Sequence, residues 1–167
     1  AFLLGAGDIY DGADRSLRAQ LAFRDGLARL DKAGIRAYVV HGNHDPLDGW
    51  SASLSWPGNN HVFPGGNPST APFPDATNPV AMIHGVSFPT RDVTENLARR
   101  FSRHPSDCFQ IGLLHCNAEA NTGHEPYAPC IVKDLTSAGL DYWALGHVHQ
   151  RQLLSQSPWI VYSGNPQ

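Results

Sequence analysis

Short apolar runs recur along the chain and indicate buried strands. Four of them are rich in β-branched, aromatic or leucine residues and are bounded by polar residues or glycine; they span residues 2–4, 35–40, 109–114 and 140–145. A fifth run, over residues 80–88, is interrupted by His84 and Gly85. Two further runs, 152–154 and 159–162, flank a Ser-Gln-Ser-Pro segment and predict a hairpin.

Helical spacing appears between these strands. Four leucines share roughly one face of a first helix that Asp14 or Ser16 can cap; they are Leu17, Leu21, Leu27 and Leu30. Residues 93–103 predict a second helix and residues 132–138 a third. Residues 46–79 are rich in Pro, Gly, Asn and Ser and predict a long loop. The alternation of strand, helix and strand predicts an α/β fold.

Composition limits the classes of function. The 167 residues suffice for one domain with a core, so we assign residues 1–167 to a single domain. No run is long and apolar enough to cross a bilayer, and 12 basic against 15 acidic side chains exclude a generally basic nucleic-acid coat. Three cysteines without a CxxC pair and the lack of a signal peptide favour a reducing, cytoplasmic location. The chain opens inside a strand and closes in a turn, so we expect a domain truncated at both ends.

Ligand-type side chains follow each of the four clearest strands. Because the carboxyl ends of strands in an open α/β sheet line one edge, these groups are expected to meet there; they are Asp8 and Asp11, then Asn43, His44 and Asp45, then His115 and Asn117, and finally His147 and His149. In three of the four cases a glycine sits at the turn, where the backbone must bend or approach another group closely. The pattern predicts a metal site.

The donor types indicate which metals this site would bind. Carboxylate, amide oxygen and imidazole without a thiolate cluster suit Mn, Fe or Zn better than an all-oxygen calcium site. A carboxylate such as Asp8 can bridge two ions in the arrangement that supports phosphoryl transfer. A neighbouring histidine can then protonate the leaving oxygen, since its pKa lies near neutral pH.

The order and spacing of these motifs resemble those of the calcineurin-like metallophosphoesterases. The resemblance runs along nearly the whole chain and rests on Gly7-Asp8-x-x-Asp11, Gly42-Asn43-His44-Asp45, His115 and Gly146-His147-x-His149. Finer similarity points to the SbcD-type DNA-repair exonucleases, in residues 7–12, 115–117, 123–130 and 162–167. The resemblance implies a two-sheet sandwich flanked by helices.

The resemblance also implies a role for each motif residue. Asp8 would bridge two divalent metals, of which Mn²⁺ is the expected one and Fe or Zn the alternatives. The second metal would be bound by Asn43, His115 and His147, and the first by His149. His44 would be the catalytic acid, and Asp45 would orient it. The implied partners are the ends of duplex DNA and an SMC-like ATPase subunit.

One family motif is missing from the printed sequence. The family has an Asp-x-His at the end of a strand upstream of its Gly-Asp motif, whereas this chain starts just before Gly7-Asp8. We therefore expect at most one metal to bind well and this chain to be poorly active. An exposed sheet edge is also expected, which invites pairing with a second copy.

Three functions remain open at this point. They are a nuclease acting on DNA ends, a general phosphoesterase acting on nucleotides or phosphoproteins, and a non-catalytic scaffold with the same fold. The core motifs do not separate the first two. His44 speaks against the scaffold, which needs no proton donor beside its metals.

Several residues have a plain structural interpretation beside a functional one. Asp11 is favoured as a turn or helix-capping residue, and Cys116 is not favoured as a nucleophile. His41 and His84 are favoured as core or supporting histidines, while a place near the site is weighed for His124. Core packing is favoured over base stacking for three aromatic residues of the long loop: Trp50, Trp56 and Phe63.

Overall fold

The computed structural model describes residues 1–12, 16–51, 54–119 and 125–165. Asp14 and His124 lie outside these ranges. The described chain forms, in order, β1 (Phe2–Ala6), α1 (Leu17–Lys32), β2 (Arg36–Val40), β3 (Asn60–Val62), β4 (Ser69–Phe73), β5 (Ala81–Val86), a short 3₁₀ helix (Leu97–Arg100), β6 (Phe109–His115), α2 (Val132–Ser137), β7 (Tyr142–Gly146), β8 (Gln152–Gln156) and β9 (Trp159–Tyr162). No helix in these ranges is long and apolar enough to cross a membrane.

Two sheets make up the framework. The smaller sheet has the order β1-β2-β3 and the larger one the order β4-β5-β6-β7-β9-β8. The smaller sheet is parallel throughout, as are the β5-β6-β7-β9 pairings at the centre of the larger one. The antiparallel strands β4 and β8 form the edges of the larger sheet. This is the predicted two-sheet α/β architecture.

Alternation along the strands sorts side chains into layers. In β2, Tyr38 and Val40 point into the core between the two sheets, whereas Ala37 and Val39 pack against Leu27 of α1. The far side of the larger sheet holds another cluster, which includes Trp143 and is covered by α2 and the 3₁₀ helix. The layers therefore run helix, sheet, sheet, helix.

The structure confirms the first predicted helix and corrects part of its packing. The Ser16 hydroxyl caps α1 by accepting a hydrogen bond from the Ala19 amide at 3.2 Å. Gly34 follows its end with a φ of +68°, a conformation that favours glycine. Leu17, however, is exposed, and the position buried in the first turns of the helix is Gln20.

The prediction of a helix over residues 93–103 is wrong, since only the 3₁₀ helix forms there. Burial of Val93, Leu97 and Phe101 produces the helical spacing. The backbone is nevertheless engaged elsewhere, because the Val93 carbonyl accepts a hydrogen bond from the Ala128 amide at 2.7 Å. The Asn96 side chain likewise donates to Asp134 at 2.8 Å. Hydrogen bonds to neighbouring segments therefore determine the backbone conformation of residues 93–103.

Candidate metal centre

The carboxyl ends of strands from both sheets meet at one place. Asp8 and Asn43 follow β1 and β2 of the smaller sheet, and His115 and His147 end or follow β6 and β7 of the larger sheet. Ligand atoms of Asp8, His115 and His147 lie within 4.8 Å of one another. The fold thus brings together four of the five predicted metal ligands.

The hydrogen-bond directions at His115 fit a bound cation. This imidazole is fully buried, and its Nδ1 lies 2.9 Å from the Ala6 carbonyl, which can only accept. When Nδ1 donates there, the lone pair of Nε2 faces Asn43 Oδ1 at 3.0 Å and Asp8 Oδ2 at 3.3 Å. Three acceptors converge, and a cation satisfies all three.

Asp8 has an ionised carboxylate suited to a ligand. Burial alone would raise its pKa, but the hydrogen bond and charge of the His115 ring when Nε2 carries a proton, together with the His44 amide, lower the pKa below the usual 3.8. A cation bound in place of that proton would act on Asp8 in the same direction. The His44 amide donates to Asp8 Oδ1 at 2.9 Å. Asp8 is therefore held in its ligand form at neutral pH.

Two of the ligand candidates have unusual backbone conformations. Asp8 has a φ of +51° and His147 a φ of +99°, in the left-handed region that non-glycine residues rarely adopt. His147 is held by the approach of its Nε2 to the Glu125 carbonyl at 3.0 Å, and its ring packs against those of His115 and Tyr127. Such strain concentrates at functional sites.

Close approach of the backbone explains the glycines at the turns, as the sequence predicted. A Cβ on Gly146 would lie 1.8 Å from the Ala6 carbonyl oxygen. A Cβ on Gly42 would lie 2.4 Å from Asp8 Oδ1. Only a residue without a side chain fits at either position.

Asp45 requires a correction, because its carboxylate does not contact His44. It is fully buried and accepts hydrogen bonds from the amides of Asp8 at 3.0 Å, Ile9 at 3.0 Å and Gly42 at 2.7 Å. His41 lies beside it, with Nδ1 2.7 Å from the Asp45 carbonyl. Burial would lower the pKa of His41, but the carboxylate of Asp45 raises it above 6.5. Asp45 therefore joins the two ligand-bearing loops.

Asp11 takes the position that the sequence suggested for Asp45. Its Oδ1 lies 3.5 Å from Nδ1 of His44, within ion-pair range, and both side chains are nearly half exposed. Asp11 does not cap α1, since Ser16 has that role. Its place three residues after Asp8, in the same loop, was the sequence signal for this pairing.

Asp8, Asp11, His44 and His147 line a cleft of about 710 Å³. His149, the fifth predicted ligand, also lines it but is exposed. It lies outside the close group of Asp8, His115 and His147. Its assignment to a first metal therefore stays a prediction.

The plain interpretations of two other residues hold. His84 is buried, with ring nitrogens 2.9 Å from Thr70 Oγ1 and 2.7 Å from Gln110 Oε1. Cys116 is buried with its sulfur 3.8 Å from that of Cys130, and this contact together with burial raises the pKa of the Cys116 thiol well above 9.0. A protonated buried thiol is a poor nucleophile.

The aromatic residues of the long loop divide between two environments. Phe63 is fully buried in the core between the sheets, as predicted. Trp50 and Trp56 are instead 39% and 38% exposed, so core packing is the wrong interpretation for them.

Comparison with known proteins places this architecture in a family. The chain matches the calcineurin-like phosphoesterases over residues 1–151 and belongs to that family. The chain is also similar to an uncharacterized metallophosphoesterase, YhaO of Bacillus subtilis strain 168, with 43% identity over 167 residues. The match covers 99% of this chain and 41% of the relative, so the chain spans about two fifths of that protein's length. Family membership supports phosphoesterase activity, and the family typically binds divalent metals.

Proposed function

We propose that this protein is a metal-dependent phosphodiesterase that acts as a nuclease on the ends of duplex DNA. One observation carries the proposal: the His44–Asp11 pair lines the same cleft as Asp8 and His147, whose ligand atoms lie within 4.8 Å of those of the buried His115. A scaffold would need ligands alone, whereas this cleft also holds a proton donor.

The residues divide the chemistry among them. In this proposal Asp8, Asn43, His115 and His147 hold a divalent ion, and Mn²⁺ is the proposed metal. When bound, such an ion polarises phosphoryl oxygens and lowers the pKa of water. His44 donates its proton to the oxygen that leaves the phosphorus as the ester bond breaks.

Supporting residues keep this arrangement in place. The Asp11 carboxylate holds Nδ1 of His44 and leaves Nε2 for the substrate. The Asp45 carboxylate accepts hydrogen bonds from the amides of Asp8 and Gly42 and thereby joins the loops after β1 and β2. The guanidinium of Arg91 is exposed, and nearby Tyr127 and Asp11 raise its pKa, so it suits a contact with a substrate phosphate.

The DNA substrate is supported by the similarity of the sequence motifs to SbcD-type exonucleases. The same similarity supports an SMC-like ATPase as partner and the cytoplasm as location. A phosphoesterase acting on nucleotides or phosphoproteins would use the same cleft, so the substrate is decided by experiment.

The test follows nucleotide release from linear duplex DNA by the full-length protein with Mn²⁺, with a simple phosphomonoester as comparator. DNA degradation is expected, with a loss of about 100-fold or more in His44→Ala, the scale of one general acid. His104→Ala is the matched control, because that side chain is exposed and lies outside the cleft. Monoester cleavage with intact DNA would move the protein to the general phosphoesterases. Inactivity on both substrates with metal bound would refute the proposal.

A further inference from the structure

A second cavity, of about 160 Å³, lies on the outer face of the smaller sheet. It is enclosed by α1, by β2 and β3, and by the loop after Asp45. Its apolar lining includes Tyr10, Phe23, Leu47, Trp50, Trp56 and Val62. Because Tyr10 also lines the metal-site cleft, the two cavities adjoin.

The walls of this cavity are aromatic and partly open to solvent. Trp50 and Trp56 keep 39% and 38% of their surface exposed. The rings of Phe23 and Trp56 lie 5.9 Å apart at 60°, so each supports the other. A concave arrangement of supported aromatic rings is suited to a planar ligand.

Among the described residues that line the cavity, Asn60 has a buried side-chain atom without a hydrogen-bond partner. The side-chain oxygen of Asn60 is buried and accepts no hydrogen bond. Asn60 lines the cavity, and strand alternation places it on the same face of β3 as Val62. A buried acceptor without a donor is costly, and a ligand with an N–H group would satisfy it.

We propose that this cavity binds a nucleobase that carries an exocyclic amino group. The ring would stack against Trp56 and Trp50, and its amino group would donate to Asn60 Oδ1. The size is appropriate, because a cavity of about 150 Å³ accommodates a six-membered aromatic ring, and the open side leaves room for the rest of a purine. The relevance to substrate choice rests on the proposed nuclease function, whereas the binding itself does not.

The binding test uses ligand-observed NMR titration of the full-length protein with adenosine and with purine riboside, which lacks the amino group. EDTA is present, so that hydrolysis plays no part. Adenosine is expected to bind more tightly by about 2- to 10-fold, the scale of one hydrogen bond. Asn60→Leu is expected to abolish that preference while leaving stacking in place.

Two substitutions of Trp56 distinguish a loss of base stacking from a loss of the folded structure. Trp56→Leu is expected to weaken adenosine binding about 10-fold, within the range for stacking of a base on an aromatic ring. Trp56→Phe keeps a ring and is expected to restore most of the affinity. Trp159→Leu is the control, since Trp159 is similarly exposed but lies on β9, outside this cavity.

Three results would overturn the proposal: no saturable binding of adenosine, equal affinity for purine riboside, or unchanged affinity in a folded Trp56→Leu. Failure of this proposal can be distinguished from failure of the proposed nuclease function. His44→Ala is expected to bind adenosine normally, because His44 does not line this cavity. Adenosine binding by a protein that does not degrade DNA would refute the nuclease function alone.

Discussion

The carboxylate of Asp45 lies buried between the loops after β1 and β2 and satisfies three main-chain amides. Asp45→Asn keeps one acceptor oxygen and replaces the other with a donor that faces an amide. We expect the free energy of unfolding to fall by about 1.5–3 kcal/mol, the scale of a hydrogen bond to a charged group. Urea denaturation in EDTA measures this, with the exposed Asp48→Asn as control. Equal stability of the two variants would contradict the structural role of Asp45.

His84 makes stability depend on pH. Its burial lowers its pKa below the usual 6.5, despite the hydrogen bond to Gln110, so the unfolded chain takes up a proton first as the pH falls. The contribution of His84 is therefore complete above pH 6.5 and declines from there toward its lower folded-state pKa. Denaturation of the wild type and His84→Gln between pH 7.5 and about 5 should show a steeper acid-side loss in the wild type. Parallel curves would contradict the assignment.

Asp11 and Asp45 show how far the sequence predicts the contacts of a single side chain. Both carboxylates could be placed near the site from their distance to a strand end. Which one faces the His44 ring and which faces main-chain amides depends on how two loops from different strands meet. That information is three-dimensional, and sequence order alone does not supply it.

At the scale of elements, the crossing of β1 and β7 is unusually tight. Gly146→Ala would place a Cβ against the Ala6 carbonyl, which is backbone and cannot rotate away. We expect a loss of about 1–3 kcal/mol in the free energy of unfolding, the usual scale of overpacking, and weaker metal binding. Chemical denaturation and metal titration measure these two effects. Gly58→Ala meets no neighbouring atom and should alter neither property.

The elements differed in how well their sequence patterns predicted them. Strands buried on both faces, such as β6, appear as continuous apolar runs and were predicted closely. The short strands β3 and β4 lie among polar and turn-forming residues, which concealed them in the long loop. Residues 93–103 have helical spacing because they cover a sheet, and spacing alone does not distinguish the two causes.

For the whole molecule, the candidate metal centre lies where the two sheets meet. Asp8 and Asn43 come from one sheet and His115 and His147 from the other, so a bound ion should stabilise their association. At Mn²⁺ concentrations a hundredfold above Kd, stabilisation of about 2.7 kcal/mol is expected. Thermal unfolding with Mn²⁺ and with EDTA measures it. His115→Ala should lose most of the increase in Tm and His104→Ala should retain it; an equal increase in both would place the ion elsewhere.

The convergence of these four residues was predictable because carboxyl ends of parallel strands share an edge. The pairing of the two sheets and the left-handed backbone at His147 were not. That backbone has its own test, since His147→Gly should be more stable without metal than His147→Ala by about 1 kcal/mol. Chemical denaturation in EDTA compares them. At His104, where φ is not positive, alanine should be at least as stable as glycine; the same order at both positions would show that His147 is unstrained.

The strain at His147 also bears on how this protein can change over generations. Selection for a sturdier fold alone would favour glycine at this position, and selection for chemistry would retain the imidazole. Selection for stability and selection for chemistry therefore favour different residues at position 147. On the proposed role of His147 as a metal ligand, a lineage that no longer needs the reaction should lose this histidine early, while the rest of the fold persists.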